Sequence, residues 1–186
     1  MSGAKDGLTI EDKEAIREVI TAYAHAVDRH RWDIMDQVFH EDATFGFGPI
    51  KGSWQDFVVS AKSILTACTA THHQLGQILI AGDGPDAAHA ETYMTAMHIV
   101  PAGYPETDVF PDRGEEYSAT IAGRYVDRFE KRGGEWRIAD RRGIYDWREY
   151  RDIGPANLSI DVPDEARGQY DDSDPSTPAA KYWRGN

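Results

Sequence analysis

The chain has 186 residues, 40% of them hydrophobic and 11% aromatic, which suits one domain with a real core or an enclosed pocket and excludes a disordered chain. Acidic residues outnumber basic ones 32 to 20, a formal charge of −12 with histidine neutral, so nucleic acid is excluded as an expected partner and solubility is the simplest account of the sign. Cys68 is the sole cysteine, which excludes an internal disulfide, and neither a signal-peptide core nor a bilayer-length apolar run is present, so a soluble cytoplasmic chain without membrane contact is expected.

Residues 1–8 read as a loose tail. Thr9 with Asp12 is a capping-box pair, and Ile16, Ile20, Tyr23 and Val27 then recur on one helical face, predicting a helix of about 18 residues that ends near Asp28. Trp32, Met35, Val38 and Phe39 suggest a second, short helix. Ala43–Phe47 reads as a strand and Gly48–Gly52 as its turn. Ser53 with Asp56 repeats the capping-box signature and launches a third helix through Phe57, Ala61, Ile64, Leu65 and Cys68.

Beyond Thr71 the pattern turns to strands: His73–Ala81, Ala87–Val100 after the turn Gly82–Pro85, Tyr117–Lys131, and Glu135–Trp147 after Gly133-Gly134. Residues 101–115, rich in Pro, Gly and acids, read as a loop. Residues 151–186 read as an irregular extension of a 9–150 domain; within it Asn157-Leu-Ser159 is a chance glycosylation match and Asp172–Pro178 a surface tail, lid or subunit clasp. Helices followed by four long strands predict an α+β fold, a curved and mostly antiparallel sheet with three N-terminal helices across its concave side, closing a cone-shaped cavity for one small ligand.

Asp28 and His73 form the most informative pairing. If the fold brings them together, the carboxylate holds one imidazole nitrogen and leaves the other basic, a proton-transfer device that needs no cofactor. The plain alternative is a core histidine and a helix-terminal Asp bonded to backbone amides. His72 competes with His73, because strand neighbours point to opposite faces; the interval to Gln77 favours His73. No His/carboxylate set sits at metal-ligand spacing, so no metal is expected.

Several stretches together resemble the SnoaL-like branch of the nuclear transport factor 2-like superfamily, with its cystatin-like cone. They are Tyr23–Asp28, Trp32–Phe45, Thr71–Gln77, Gly123–Phe129 and Trp136–Arg142. The resemblance spans about residues 8–147, and that branch holds scytalone dehydratase, bile acid 7α-dehydratase and the lindane dehydrochlorinase, which are cofactor-free lyases with an Asp–His pair in the cone. It implies Asp28 and His73 as that pair, Tyr23 as a substrate-binding hydroxyl, His98 as a second histidine, and Arg141 or Arg142 as the arginine of the last strand. The interval after Ile138 favours Arg141. No carboxylate stands between Tyr93 and His98, where the bile acid enzyme has one, and Gln77 replaces a frequent Asn, so the substrate stays open.

On this reading His73 is the general base, Asp28 fixes its tautomer, and His98 protonates a leaving hydroxyl or holds a carbonyl. An inward arginine stabilises a developing enolate. Phe45, Phe47, Trp54 and Tyr125 are candidates to line the pocket around a ring-shaped substrate. The expected function is a cofactor-independent dehydratase, or a retro-aldol-type lyase, of a cyclic or aromatic small molecule, in a homo-oligomer (trimer or dimer). An isomerase or cyclase on a ring ketone, and a non-catalytic ligand-binding module, are the alternatives.

Overall fold

A computed structural model describes residues 7–48, 50–154, 163, 166–176 and 179. The first helix, α1, runs Ile10–Asp28, and both halves of its capping box are made: the Thr9 side chain accepts from the Asp12 amide, and Asp12 accepts from the Thr9 amide. Ile16, Val19, Ile20, Tyr23 and Val27 are buried on its inner face, as the periodicity requires. A 3₁₀ turn at Trp32–Ile34 leads into the one-turn helix α2, Met35–Val38. Phe39 belongs not to that helix but to the first strand, β1 (Phe39–Phe47). The stretch after it is more than a turn: Ile50–Ser53 forms a short strand, β2, paired antiparallel with β1. Helix α3, Trp54–Leu65, starts from the capping box of Ser53 and Asp56.

Four long strands complete the domain: β3 (Ala70–Gly82), β4 (Ala87–Val100), β5 (Tyr117–Arg132) and β6 (Glu135–Asp152). The six strands form one sheet in the order β2-β1-β6-β5-β4-β3, with β1 parallel to β6 and every other pair antiparallel. The fold is α+β, and its sheet is curved but unclosed, so the helices rather than a pairing of the edge strands β2 and β3 complete the cone. Gly133 and Gly134 join β5 to β6 with φ of 63° and 91°, the backbone a two-residue type I′ hairpin demands. Among the described residues, no helix is long and apolar enough to cross a membrane.

Alternation along the strands decides what enters the core. In β5, Tyr117, Ala119, Ile121, Tyr125, Asp127 and Phe129 are buried; in β4, Ala88, Ala90, Thr92, Met94, Ala96 and His98 are. The small inward side chains of β4 leave room on the concave face.

Asp12 ties α1 to the β5–β6 hairpin. Its Oδ1 accepts from Trp136 Nε1 at 2.8 Å and from Lys131 Nζ at 2.9 Å, and those two bonds, with the Thr9 backbone bond, hold its carboxyl far below the usual carboxylate range. The depressed pKa stabilises the fold fully above the unfolded Asp value near 4 and is lost as pH falls through the native one. Asp12→Ala removes a cap and orphans a buried indole N–H, so a loss of about 2–3 kcal/mol is expected. Urea denaturation at pH 7 measures it, and the deficit against the parent should narrow toward pH 3.

Candidate active site

The inner walls of α1, α3 and the sheet line a largely apolar pocket. Tyr23 and Val27 come from α1, Phe57, Ala61, Ile64 and Leu65 from α3, and Met94, Ala96, Ile121, Tyr125 and Tyr145 from the strands. His73 and His98 are the titratable nitrogen groups in that lining. Val109 and Phe110, from the long β4–β5 loop, lie across one side. Hydroxyl groups anchor the loop: Tyr150 donates to the Val109 carbonyl, Tyr104 to that of Ile64, and Tyr117 to that of Pro111.

Asp28 is the last residue of α1. A carboxylate there faces the negative end of the helix dipole and needs strong donors to compensate. Strand β3 supplies them: the His73 amide donates to Oδ2 at 2.7 Å, His73 Nδ1 lies 2.7 Å from Oδ1, and the Thr71 hydroxyl donates to Oδ1 at 3.3 Å. Burial works to raise the Asp28 pKa, but the His73 bonds outweigh it and the carboxyl sits below its ordinary value. An ionised Asp28 can only accept, so Nδ1 carries the proton and Nε2 is left with its lone pair free. His72, paired across from Met97, is on the outer face and exposed. The Gln77 interval was not a sound guide to that choice. A register shift between Leu75 and Ile78 breaks the alternation, and Gln77 is exposed.

His98 is buried, with its ring 5.6 Å from that of His73 and 4.8 Å from Phe110. Burial, reinforced by His73, pushes the imidazole down to about 3, so it is neutral near pH 7. A neutral ring suits a hydrogen-bonding role at His98 better than delivery of a proton from an imidazolium. Tyr23 and Tyr125 are raised by burial, Tyr23 to about 12, so both hydroxyls stay protonated.

Arg141 is inside and Arg142 exposed on the opposite face. The interval of three from Ile138 to Arg141 fits one face because β6 skips Ala139 in its pairing: Phe129 faces Ile138 and Arg128 faces Asp140. Arg141 does not reach the cavity surface, however. Its Nε and Nη2 each donate to Asp127 at 2.7 Å, and its Cζ lies 4.0 Å and 4.4 Å from the ring centroids of Tyr23 and Tyr125. Burial raises the Asp127 pKa against the pull of Arg141, yet both its oxygens accept from the guanidinium, which fits the ionised form. Sequence reasoning missed Asp127, although its position between the inward Tyr125 and Phe129 was a usable signal.

Of the four aromatics expected to line the pocket, Phe47 and Tyr125 do. Phe45 and Trp54 do not: Phe45 stacks on Phe57 at 3.8 Å and Trp54 on Phe39 at 5.8 Å, both filling core between β1 and the helices. Phe47 stacks on Tyr145 at 4.5 Å, over a gap that only Gly143 leaves, since a Cβ there would lie 1.9 Å from the Phe47 ring.

Part of the C-terminal extension packs against the turn that follows Asp28. Tyr170 stacks on His30, a residue at φ 54°, with centroids 4.2 Å apart; buried Asp174 lies 3.9 Å from Arg29, and Asp172 lies 3.3 Å from Arg31. For residues 166–176 a plain surface tail is therefore too weak a description. The sequon at Asn157 and the end of the Asp172–Pro178 stretch lie outside the described residues. Among the described residues no cluster of three or more His, Cys, Asp or Glu side chains is arranged to hold a metal.

The model of a SnoaL-like domain matches residues 8–142. A search of curated proteins found no match. Among solved structures, a type 2 hexachlorocyclohexane dehydrochlorinase (LinA) superposes with a TM-score of 0.65 at 15% identity, over 80% of this chain and 97% of that one. A protein assigned as a scytalone dehydratase from Novosphingobium aromaticivorans gives 0.62 at 18% identity, over 83% and 96%. A Nostoc punctiforme protein of unknown function with a cystatin-like fold gives 0.55 at 18%, over 75% and 94%. At these identities the likeness establishes the fold.

Proposed function

The chain belongs to the SnoaL-like domain family, and on that premise we propose that it is a cofactor-independent lyase, a dehydratase of a cyclic or aromatic small molecule. One observation carries the reading: the 2.7 Å contact between Asp28 Oδ1 and His73 Nδ1 at the wall of an apolar cavity. Asp28 holds the tautomer and stabilises the imidazolium as it forms. His73 Nε2 removes a proton from a carbon of the bound ring, the C–H electron pair becomes the new double bond, and the C–O bond at the neighbouring carbon breaks. The departing hydroxide takes the proton back from His73 and leaves as water. Tyr23 hydroxyl and neutral His98 orient the substrate's oxygens.

A retro-aldol-type cleavage uses the same base on a substrate hydroxyl. Isomerisation of a ring ketone is the second reading, favoured by the presence of one base able both to take and to return a proton. Product mass separates them, because an isomerase leaves it unchanged. The exposed outer sheet face, with Met97, Trp147 and Tyr93, supports self-association as a trimer or dimer in the same proposal.

The decisive test is His73→Gln assayed by mass spectrometry against a panel of hydroxylated aromatic and steroid-like compounds. We expect turnover to fall by about 10²–10⁴-fold with the circular dichroism spectrum unchanged. Unchanged turnover on a compound that the parent dehydrates removes His73 from the role.

A further inference from the structure

We infer that the cavity selects uncharged ring compounds bearing a hydrogen-bonding oxygen and rejects carboxylates, phosphates and ammonium ions of the same shape. This deepens the proposed function by naming the class of substrate, and it rests on the reading of this cavity as the substrate site.

None of the residues lining the cavity is Lys or Arg. The cation beneath it, Arg141, is fully buried, commits two nitrogens to both oxygens of Asp127, and is roofed by the rings of Tyr23 and Tyr125. Its remaining nitrogen, Nη1, has no hydrogen-bond partner among the described residues but does not line the cavity, so an incoming carboxylate would shed its water and find no cation at the cavity surface. The ammonium case fails for the mirror reason. Both Asp28 oxygens already accept from His73 or Thr71, and Asp127 is closed by Arg141. A neighbouring surface pocket that shares Ile50, Ile64 and Val109 with the cavity adds to the discrimination against anions, because Asp56, Glu106 and Asp108 line it beside Lys51.

A neutral polar handle does have a receptor. His98 is 3% exposed and lines the cavity, and its Nδ1 has no hydrogen-bond partner among the described residues. A buried nitrogen without a partner is costly, and a hydroxyl or carbonyl on the ligand would relieve it, according to which tautomer His98 adopts.

Three naphthalenes differing in one substituent test this on the full-length protein at pH 7.5 by isothermal titration calorimetry: 2-naphthalenemethanol, 2-naphthoate and 2-naphthylmethylammonium. The alcohol should bind at least about tenfold more tightly than either ion, since an unpaired ion keeps its full desolvation penalty. Equal or tighter binding of either ion overturns the inference, as does failure of all three to bind.

Asp127→Asn supplies a second arm. It leaves an uncompensated positive charge under the tyrosine rings, and 2-naphthoate should then gain about tenfold in affinity relative to the alcohol, through the field in a poorly screened site. An unaltered ratio in a folded Asp127→Asn protein refutes the part assigned to the Arg141–Asp127 pair. Should that variant fail to fold, the three-ligand comparison on the parent still decides the matter. The affinities of the parent are read without any turnover, so a failure of charge selection is distinguishable from a failure of the proposed chemistry.

Discussion

An Asp28→Asn protein should lose about 10³–10⁴-fold in turnover while retaining most of its ligand affinity, an outcome measured by kcat and by calorimetry on the same preparation. The amide is nearly isosteric with the carboxylate, but it presents one acceptor and one donor where Asp28 presents two acceptors. The His73 amide and Nδ1 bond to different oxygens of Asp28, at 2.7 Å each. In the variant one of the two must face an NH₂ group. If the backbone amide keeps the carbonyl oxygen, the NH₂ donates to Nδ1, the ring proton moves to Nε2, and the side facing the cavity ceases to be a base. The other orientation sets NH₂ against the His73 amide, which disfavours it. Full activity in Asp28→Asn would show that the ring needs no carboxylate behind it.

Asp127→Asn should lower stability by about 3–5 kcal/mol at pH 7, read by urea denaturation, because a guanidinium with no route to neutrality is left buried. The reverse cut is expected to be gentler. In Arg141→Met the orphaned carboxyl can bind a proton, and burial already raises its pKa in the parent. A raised native pKa means the native state binds more protons than the unfolded one, so the Arg141→Met deficit should be largest above the native Asp127 pKa. It should fade as pH falls toward the unfolded value near 4. The double variant Asp127→Asn with Arg141→Met should recover most of the loss, since a pair of this kind can be exchanged for uncharged groups at little net cost. Equal, pH-independent deficits for the two single variants would contradict this account of the pair.

That same pair shows how far the residues alone could be read. The family resemblance implied Arg141 or Arg142 as an inward arginine on the last strand, with Arg141 favoured by its interval after Ile138, but the role of Arg141 changes once Asp127 is found 2.7 Å away, across β5 and β6. The spacing that places Arg141 inside depends on β6 skipping Ala139, and such a skip follows from how two strands settle against each other rather than from either alone. The skip between Leu75 and Ile78 in β3 likewise undid the argument from Gln77. Phe45 and Trp54 were assigned to the pocket because an aromatic side chain suits a core and a ligand wall equally well, and only neighbours distinguish them. Val109 and Phe110 sit in a loop with no periodicity, so their place over the cavity was invisible until the hydroxyls of Tyr104, Tyr117 and Tyr150 tied that loop down.

What the chain settles by itself is local. Both capping boxes, the buried stripe of α1, the alternation of β4 and β5 and the double-glycine hairpin depend on residues a few positions apart. Their patterns are legible before the chain is compact, although burial and pairing supply most of their energy only afterwards, and with the helix-then-strand order they suffice for the α+β class. The tertiary structure decides which of two neighbouring histidines or arginines turns inward, which charges neutralise each other beneath the cavity, and which aromatics reach a ligand. Those outcomes turn on strand register and on desolvation of groups far apart in the chain, and both are properties of the packed sheet as a whole.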